Sequence, residues 1–243
     1  RRAAWIVGAV ALAATLLVAV PALVRPTTAS AAPVVGDPGV QPPIDLSTLE
    51  PNPVKQWGVE GTGATYSDAK PHVWDFLEVT VGGQKRMYVA GSFTTVRQNG
   101  DDPAGQVVQP RYLAAFDLNT GAYIPTFTPA FDRTVYDVEL APNGKLLVGG
   151  EFTTVNGQAR GGLVMLDPST GQVDTGFRAT IVAANQPMVR EILRVGSQIY
   201  VAGQISQIKV DANSYWVWNA ARLDGTTGAI DGSWTPKFMG GLW

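Results

Sequence analysis

Three stretches of the chain repeat one another. Met87-Tyr88-Val89-Ala90-Gly91-Ser92-Phe93-Thr94-Thr95-Val96 aligns with Leu146-Leu147-Val148-Gly149-Gly150-Glu151-Phe152-Thr153-Thr154-Val155, and more loosely with Ile199-Tyr200-Val201-Ala202-Gly203-Gln204-Ile205-Ser206-Gln207-Ile208. The glycines Gly91, Gly150 and Gly203 fall 59 and 53 residues apart. Upstream of each lies a matching strand, beginning Val73-Trp74-Asp75-Phe76, Val135-Tyr136-Asp137-Val138 and Val189-Arg190-Glu191-Ile192. Downstream, Leu113 to Asp117, Leu163 to Asp167 and Ala220 to Asp224 each run into a turn, closed by Gly121, Gly171 and Gly228. A fourth strand is expected around Phe127, Phe177 and Trp234. Internal repetition at this period is the signature of a repeat architecture and takes precedence over any single residue.

Four short strands per repeat form a meander with two faces, and one meander cannot bury both alone. Stacked face to face around an axis, such sheets bury a continuous core, which is the plan of a β-propeller. The small pairs Ala90-Gly91, Gly149-Gly150 and Ala202-Gly203 suit strands whose neighbours approach closely. An Asp, then Asn, Ser or Thr, then Gly supplies side-chain capping and a left-handed position, so these turns are strand connections. The predicted fold is all-β: about three four-stranded antiparallel blades over 73–134, 135–188 and 189–241, within a repeat region of 54–243. Three blades are fewer than the four to eight of a typical ring, so the array is expected to be an incomplete propeller and the front of a longer protein.

Lys145 to Gly157, Arg160, Leu163 to Asp167 and the Gly171-x-x-Asp174-x-x-Phe177 ending resemble the delta-60 repeat family, β-propeller-like repeats of bacterial secreted and surface proteins. The second repeat carries the likeness best. The first has an insertion, Gln98 to Gln109, and the third has Ile205-Ser206-Gln207 in place of Phe-Thr-Thr. The resemblance implies fold and export; it implies no catalytic residue.

Export is also the reading of the N-terminal segment. Arg1 and Arg2 precede the uncharged run Ala3 to Val24, and Ala29-Ser30-Ala31 forms a small-residue triplet. That order predicts a signal peptide helix over 1–31, cleaved before Ala32; a retained membrane anchor and twin-arginine export are the alternatives. Six prolines between Ala32 and Pro53 exclude a helix and predict a linker over 32–53. The resemblance of Pro53-Val54-Lys55-Gln56-Trp57 to the stretch ending at Trp234 suggests a lone outer strand that closes the last blade.

Composition removes several function classes. With no cysteine there is no disulfide, thiolate metal site or thiol nucleophile, and with one histidine, His72, no site uses two imidazoles. A net charge of −2 provides no field for phosphate backbones, so nucleic acid is not an expected partner. No cofactor and no catalytic residue is expected, and no membrane association after signal removal.

Two sets of candidate site residues stand out. Asp75, Asp137 and Glu191 share one repeat position in the strand nearest the axis and could face a central channel, where carboxylate oxygens suit a hard cation; alternatively they bond backbone amides at strand ends or face solvent. Trp216 and Trp218, at alternating positions near the third strand, are expected to share one face and Tyr215 to take the other; exposed rings on a sheet suit the C–H faces of a sugar, and packing in the interblade core is the alternative. Asp101-Asp102 reads as a solvated loop, and His72 has no evident Ser or Asp partner for catalysis. The expected function is a non-enzymatic binding or scaffold module, secreted or on a bacterial surface, with a glycan or another surface protein as partner. The alternatives are a carbohydrate-active or lyase-like enzyme using carboxylates at the propeller mouth, and an inert spacer.

Overall fold

The computed structural model describes residues 57–62, 71–98, 105–183 and 185–238. The predicted signal peptide and linker and the Asp101-Asp102 loop lie outside the described residues. Every regular element within them is a strand.

Blade 1 is built from β1 (Trp57–Thr62), β2 (Val73–Val81), β3 (Gln84–Gly91), β4 (Phe93–Gln98), β5 (Val107–Val108) and β6 (Leu113–Asp117). Blade 2 comprises β7 (Val135–Leu140), β8 (Leu146–Gly150), β9 (Thr154–Val155), β10 (Gln158–Ala159) and β11 (Leu163–Leu166). Blade 3 comprises β12 (Ala179–Val182), β13 (Met188–Val195), β14 (Gln198–Gln204), β15 (Gln207–Val210), β16 (Asn213–Trp216) and β17 (Ala220–Asp224). Each blade has an inner three-stranded antiparallel sheet, ordered β2-β3-β6, β7-β8-β11 and β13-β14-β17. No sheet closes on itself, and the blades form an open, incomplete propeller.

The alternation of strand side chains explains why these sheets stack. Leu146, Leu147 and Val148 are consecutive in β8 and all fully buried, as are Leu163, Met165 and Leu166 in β11. Successive side chains point to opposite faces, so blade 2 is apolar on both. One face joins a core with Tyr88, Ala90, Leu113 and Ala115 of blade 1. The other joins Val189, Ile192, Ile199 and Val201 of blade 3. Polar ties accompany the packing: the Tyr88 hydroxyl donates to the Pro168 carbonyl at 2.5 Å, and Arg86 donates to the Pro168 and Ser169 carbonyls at 3.3 and 3.4 Å.

The turns after the third strands form as their sequence requires. The Oδ1 atoms of Asp117, Asp167 and Asp224 each accept backbone amides two and three residues on. The closing glycines Gly121, Gly171 and Gly228 lie at φ 69°, 75° and 75°, a region open to glycine at little cost.

Three features differ from the sequence expectation. First, the fourth strand of each inner sheet is reduced to a one-residue bridge, Phe116 with Tyr123, Leu166 with Val173 and Leu223 with Ile230. Phe127 and Phe177 leave the sheets and fill the interblade cores instead. Second, each blade has an outer sheet, β1-β4-β5, β9-β10 and β12-β15-β16, built on the stretch between the second and third inner strands, to which β1 and β12 are added from before the first inner strand. Third, the strand around Trp57 does not close the last blade: β1 pairs antiparallel with β4 in blade 1, Val59 opposite Val96. β12 enters blade 3 in the same manner, Ile181 opposite Ile208, and in blade 2 only the bridge of Phe131 with Val155 remains.

Outer and inner sheets are joined by one left-handed residue per blade. Tyr112, Gly162 and Asn219 lie at φ 71°, 64° and 63°. Their amides donate to the carbonyls of Phe93, Phe152 and Ile205, and their carbonyls accept from Gly91, Gly150 and Gly203. Tyr112 holds with a bulky side chain a conformation that costs about 1–3 kcal/mol outside glycine.

The second-strand glycines are required by close approach. A Cβ on Gly150 would collide with the Thr134 carbonyl and the Phe152 ring, whereas one on Gly58 meets nothing within 4 Å. Gly150→Ala is expected to destabilise the protein by about 1–3 kcal/mol, and Gly58→Ala to change it far less. Denaturant titration of the two variants checks this; equal midpoints would remove close packing as the reason for glycine.

Candidate functional site

Each innermost strand carries a β-bulge at the same place. The register shifts between Val73 and Asp75, between Val135 and Asp137, and between Val189 and Glu191, so Trp74, Tyr136 and Arg190 are the extra residues. A bulge sets two residues against one and re-aims the bulged side chains. The result is a cleft of about 200 Å³ at the inner rim, lined by Trp74, Asp75, Tyr136, Asp137, Arg190 and Glu191.

The large members form a ladder across the blades. His72 stacks on Trp74 at 5.4 Å between centroids, Trp74 meets Tyr136 edge-on at 5.7 Å, and the Arg190 guanidinium lies 4.2 Å from the centre of the Tyr136 ring. A cation over an aromatic face is attracted by the ring quadrupole.

The acidic members run beneath this ladder. Asp75 Oδ2 accepts the Val138 amide of the next blade at 2.9 Å, and Asp137 Oδ2 accepts the Ile192 amide of the blade after that. Both carboxylates therefore fasten one blade to the next. Asp137 is only 9% exposed. Burial, a hydrogen bond with the Asp75 side chain and the charge of Asp75 push its carboxyl up to about 8, against the opposing pull of the Ile192 amide. Glu191 is also raised, by partial burial and then by the charges of Asp75 and Glu139. The structure thus brings Asp75, Asp137 and Glu191 to one rim. Among the described residues no three His, Asp or Glu side chains gather in a way that could hold a metal ion.

The aromatic candidates sit at the other side of blade 3. The β15–β16 hairpin turns at Asp211, at φ 55°, and β16 ends at Trp216. Tyr215, Trp216, Trp218 and Trp234 line a cavity of about 510 Å³ with Asp231 at its edge. Trp216 is 77% and Trp218 52% exposed. Tyr215 lines the same cavity as Trp216, its neighbour in β16, and Trp218 lies beyond the end of that strand, so the expected division of the three rings between two faces does not hold. The wall is fixed from behind: Trp234 packs edge-on to Tyr200 at 5.1 Å, and Arg222 is 2.7 Å from Asp231 and donates to Ser233 at 2.9 Å. Asp231 is held below the usual carboxylate range, first by the Ser233 hydroxyl and amide and also by Arg222, so it stays an acceptor. His72 is placed by its amide, which donates to Ser92 Oγ at 3.0 Å, and by its stack on Trp74.

The bulges and the rim ladder were missed in the sequence. The signal available was the residue before each acid, large in all three repeats: Trp74, Tyr136 and Arg190.

Asp137 makes stability depend on pH. Its folded pKa of about 8 lies above the unfolded value of about 4. Between the two the folded state retains a proton that the unfolded chain has released, so stability is greatest at the acidic end of the window and falls as pH rises through it. Thermal unfolding is expected to show this decline, and Asp137→Asn, which keeps an acceptor without a charge, to flatten it. An unchanged slope in the variant would refute the assignment.

The family described as a domain of unknown function (DUF5122) beta-propeller matches residues 141–177, which span β8 to β11 of blade 2. The second repeat is thus β-propeller-like by sequence comparison as well as by fold. None of the curated proteins compared matches the chain.

Proposed function

We propose that this chain is an exported repeat module of the delta-60 kind that works by binding, with the aromatic cavity of blade 3 as its glycan site and the stacked blades as its scaffold. The observation that carries the reading is the group of Tyr215, Trp216, Trp218 and Trp234 around one open cavity beside Asp231. Ring faces pack against sugar C–H groups, while Asp231 supplies an acceptor for hydroxyls. Exposed rings this large on a surface point to a partner.

Acid–base chemistry at the rim is the competing reading, and the Asp75–Asp137 pair is its basis. Both aspartates are engaged by backbone amides of the following blade, which favours the binding reading. The N-terminal segment supports export: secretion is expected to leave Ala32 as the mature terminus, and N-terminal sequencing of the secreted protein that begins before Ala3 would contradict it.

The binding test is a glycan array followed by tryptophan-fluorescence titration of the best ligand. Trp216→Ala and Trp218→Ala are each expected to weaken binding by about tenfold or more, a loss of roughly 1.4 kcal/mol. The fold should be unaffected, since both rings are exposed. Absence of any glycan signal, or full affinity in both variants, would leave the spacer or a protein-binding role in its place.

A further inference from the structure

The cavity beside Trp216 has a counterpart in each earlier blade. The left-handed residues Tyr112, Gly162 and Asn219 form one edge of a groove, and the link that leaves the bridges of Tyr123, Val173 and Ile230 forms the other. The lining falls at equivalent places: Gln109, Ala159 and Trp216 on the first edge, and Thr128, Arg178 and Thr235 on the second. The fold thus supplies the groove and the local sequence its chemistry. Val108, Pro110, Pro125 and Pro129 make the first groove apolar, and tryptophans make the third aromatic.

The second groove is cationic. It is a cavity of about 540 Å³ where blade 2 meets the outer sheet of blade 3, and Arg160, Arg178 and Lys209 line it with Asp211. Asp211 is engaged with Arg178, Oδ2 to Nη1 at 2.9 Å. Among the described residues neither Arg160 nor Lys209 has a carboxylate partner; Arg160 donates from Nη1 to the Ala159 carbonyl at 3.2 Å. Asp132 stands behind the wall, its oxygens accepting the Thr153 amide and hydroxyl and the Thr154 amide. Three cations against one lining carboxylate leave an excess of two positive charges, in a chain whose net charge is −2. Phe177 and Ile181, both buried, form an apolar floor, and such walls focus the field of the charges above them. The rim is held by Thr180 Oγ1, which accepts the Gly161 amide at 2.7 Å.

The cationic and aromatic cavities share one sheet. In β12-β15-β16, Thr180 is opposite Lys209 and Lys209 is opposite Ser214, so the three stand side by side on one face. The next row on that face is Val182, Gln207 and Trp216, while Ile181, Ile208 and Val210 of the other face are buried. Thr180 and Lys209 line the cationic cavity, and Ser214 and Trp216 the aromatic one. Three strands span only about 10 Å, so the two cavities are stations along one short path, with Lys209 between them.

We infer that this path is the binding site of an acidic polysaccharide, whose rings stack on Trp216 and Trp218 while the carboxylate or sulfate of a neighbouring sugar enters the cavity of Arg160 and Lys209. The inference rests on the glycan reading of the aromatic cavity and deepens it. A guanidinium offers a planar fork of donors to an anionic group, and the ammonium of Lys209 adds a point charge on the route between the two cavities.

The probes are a galacturonic acid hexamer and the same hexamer as its neutral methyl ester, titrated by calorimetry. The acid is expected to bind about tenfold or more tightly than the ester, and to lose that advantage as salt is raised. Arg160→Ala and Lys209→Ala, on different strands so that one misfolded variant does not decide the matter, are each expected to bring the acid toward the affinity of the ester while leaving the ester unchanged. Trp216→Ala is expected to weaken both. A sulfated galactose hexamer run beside them shows which acidic group the cavity prefers; Arg160-dependent binding of either upholds the inference. Equal affinity for acid and ester, or a preference for acid that survives both cation variants, would overturn it and leave the glycan reading standing on Trp216. Binding of none of the hexamers would remove both. Equal Arg160-dependent binding of an oligothymidylate of the same charge would also overturn it, since the cavity would then be selecting charge without a sugar.

Discussion

A three-stranded sheet with apolar side chains on both faces cannot stand alone in water, and the rest of this structure follows from that. Blade 2 is the clearest instance, since Leu146 and Leu147 are neighbours in β8 and both fully buried, one toward each adjoining blade. Buried apolar area of this kind is the principal favourable term in folding. It leaves little room for error in spacing, because interiors are packed to crystal-like density. The second-strand glycines and the left-handed hooks at Tyr112, Gly162 and Asn219 hold the outer sheets against the inner ones at that spacing.

Polar contacts decide register where apolar contacts only attract. A face of Val and Leu could slide along its neighbour by a strand residue at modest cost, but a carboxylate bonded to one particular amide cannot. Asp75 on Val138 and Asp137 on Ile192 fix the same alignment at two successive junctions. Leaving a buried donor unsatisfied costs about 1–3 kcal/mol, so a shifted register forfeits more than the bond it breaks. The raised Asp137 carboxyl is the consequence first of its burial and then of the neighbouring Asp75 at the same rim.

Much of this was legible in the sequence. The triplicated Gly91, Gly150 and Gly203 strands, the Asp-led turns and the all-β class can be read from local pattern alone, because each depends on residues close together in the chain. Pairings between distant segments were not. β1 joins β4 across the chain that forms β2 and β3, and no local pattern distinguishes that from closure of the last blade. The bulges were hidden for a related reason: an extra residue is extra only relative to the partner strand. Of the candidate site, Trp216 and Trp218 could be singled out in the sequence, while Tyr215 and Trp234 join them only in the folded chain, Trp234 through its packing on Tyr200.

The carboxylate contacts between blades also have a direction. In both, the acceptor belongs to the earlier repeat and the donor to the later one, 63 and 55 residues downstream. The stack is therefore polar in the sense that a filament is polar, each of these junctions pairing an acceptor on the earlier blade with a donor on the later one. A chain made from its N-terminus presents Asp75 before the Val138 amide exists, so each blade meets an acceptor already in position on the blade before it. Vectorial growth of the array is thereby favoured by a single side chain at each of the two junctions, independent of whatever ligand its surface carries.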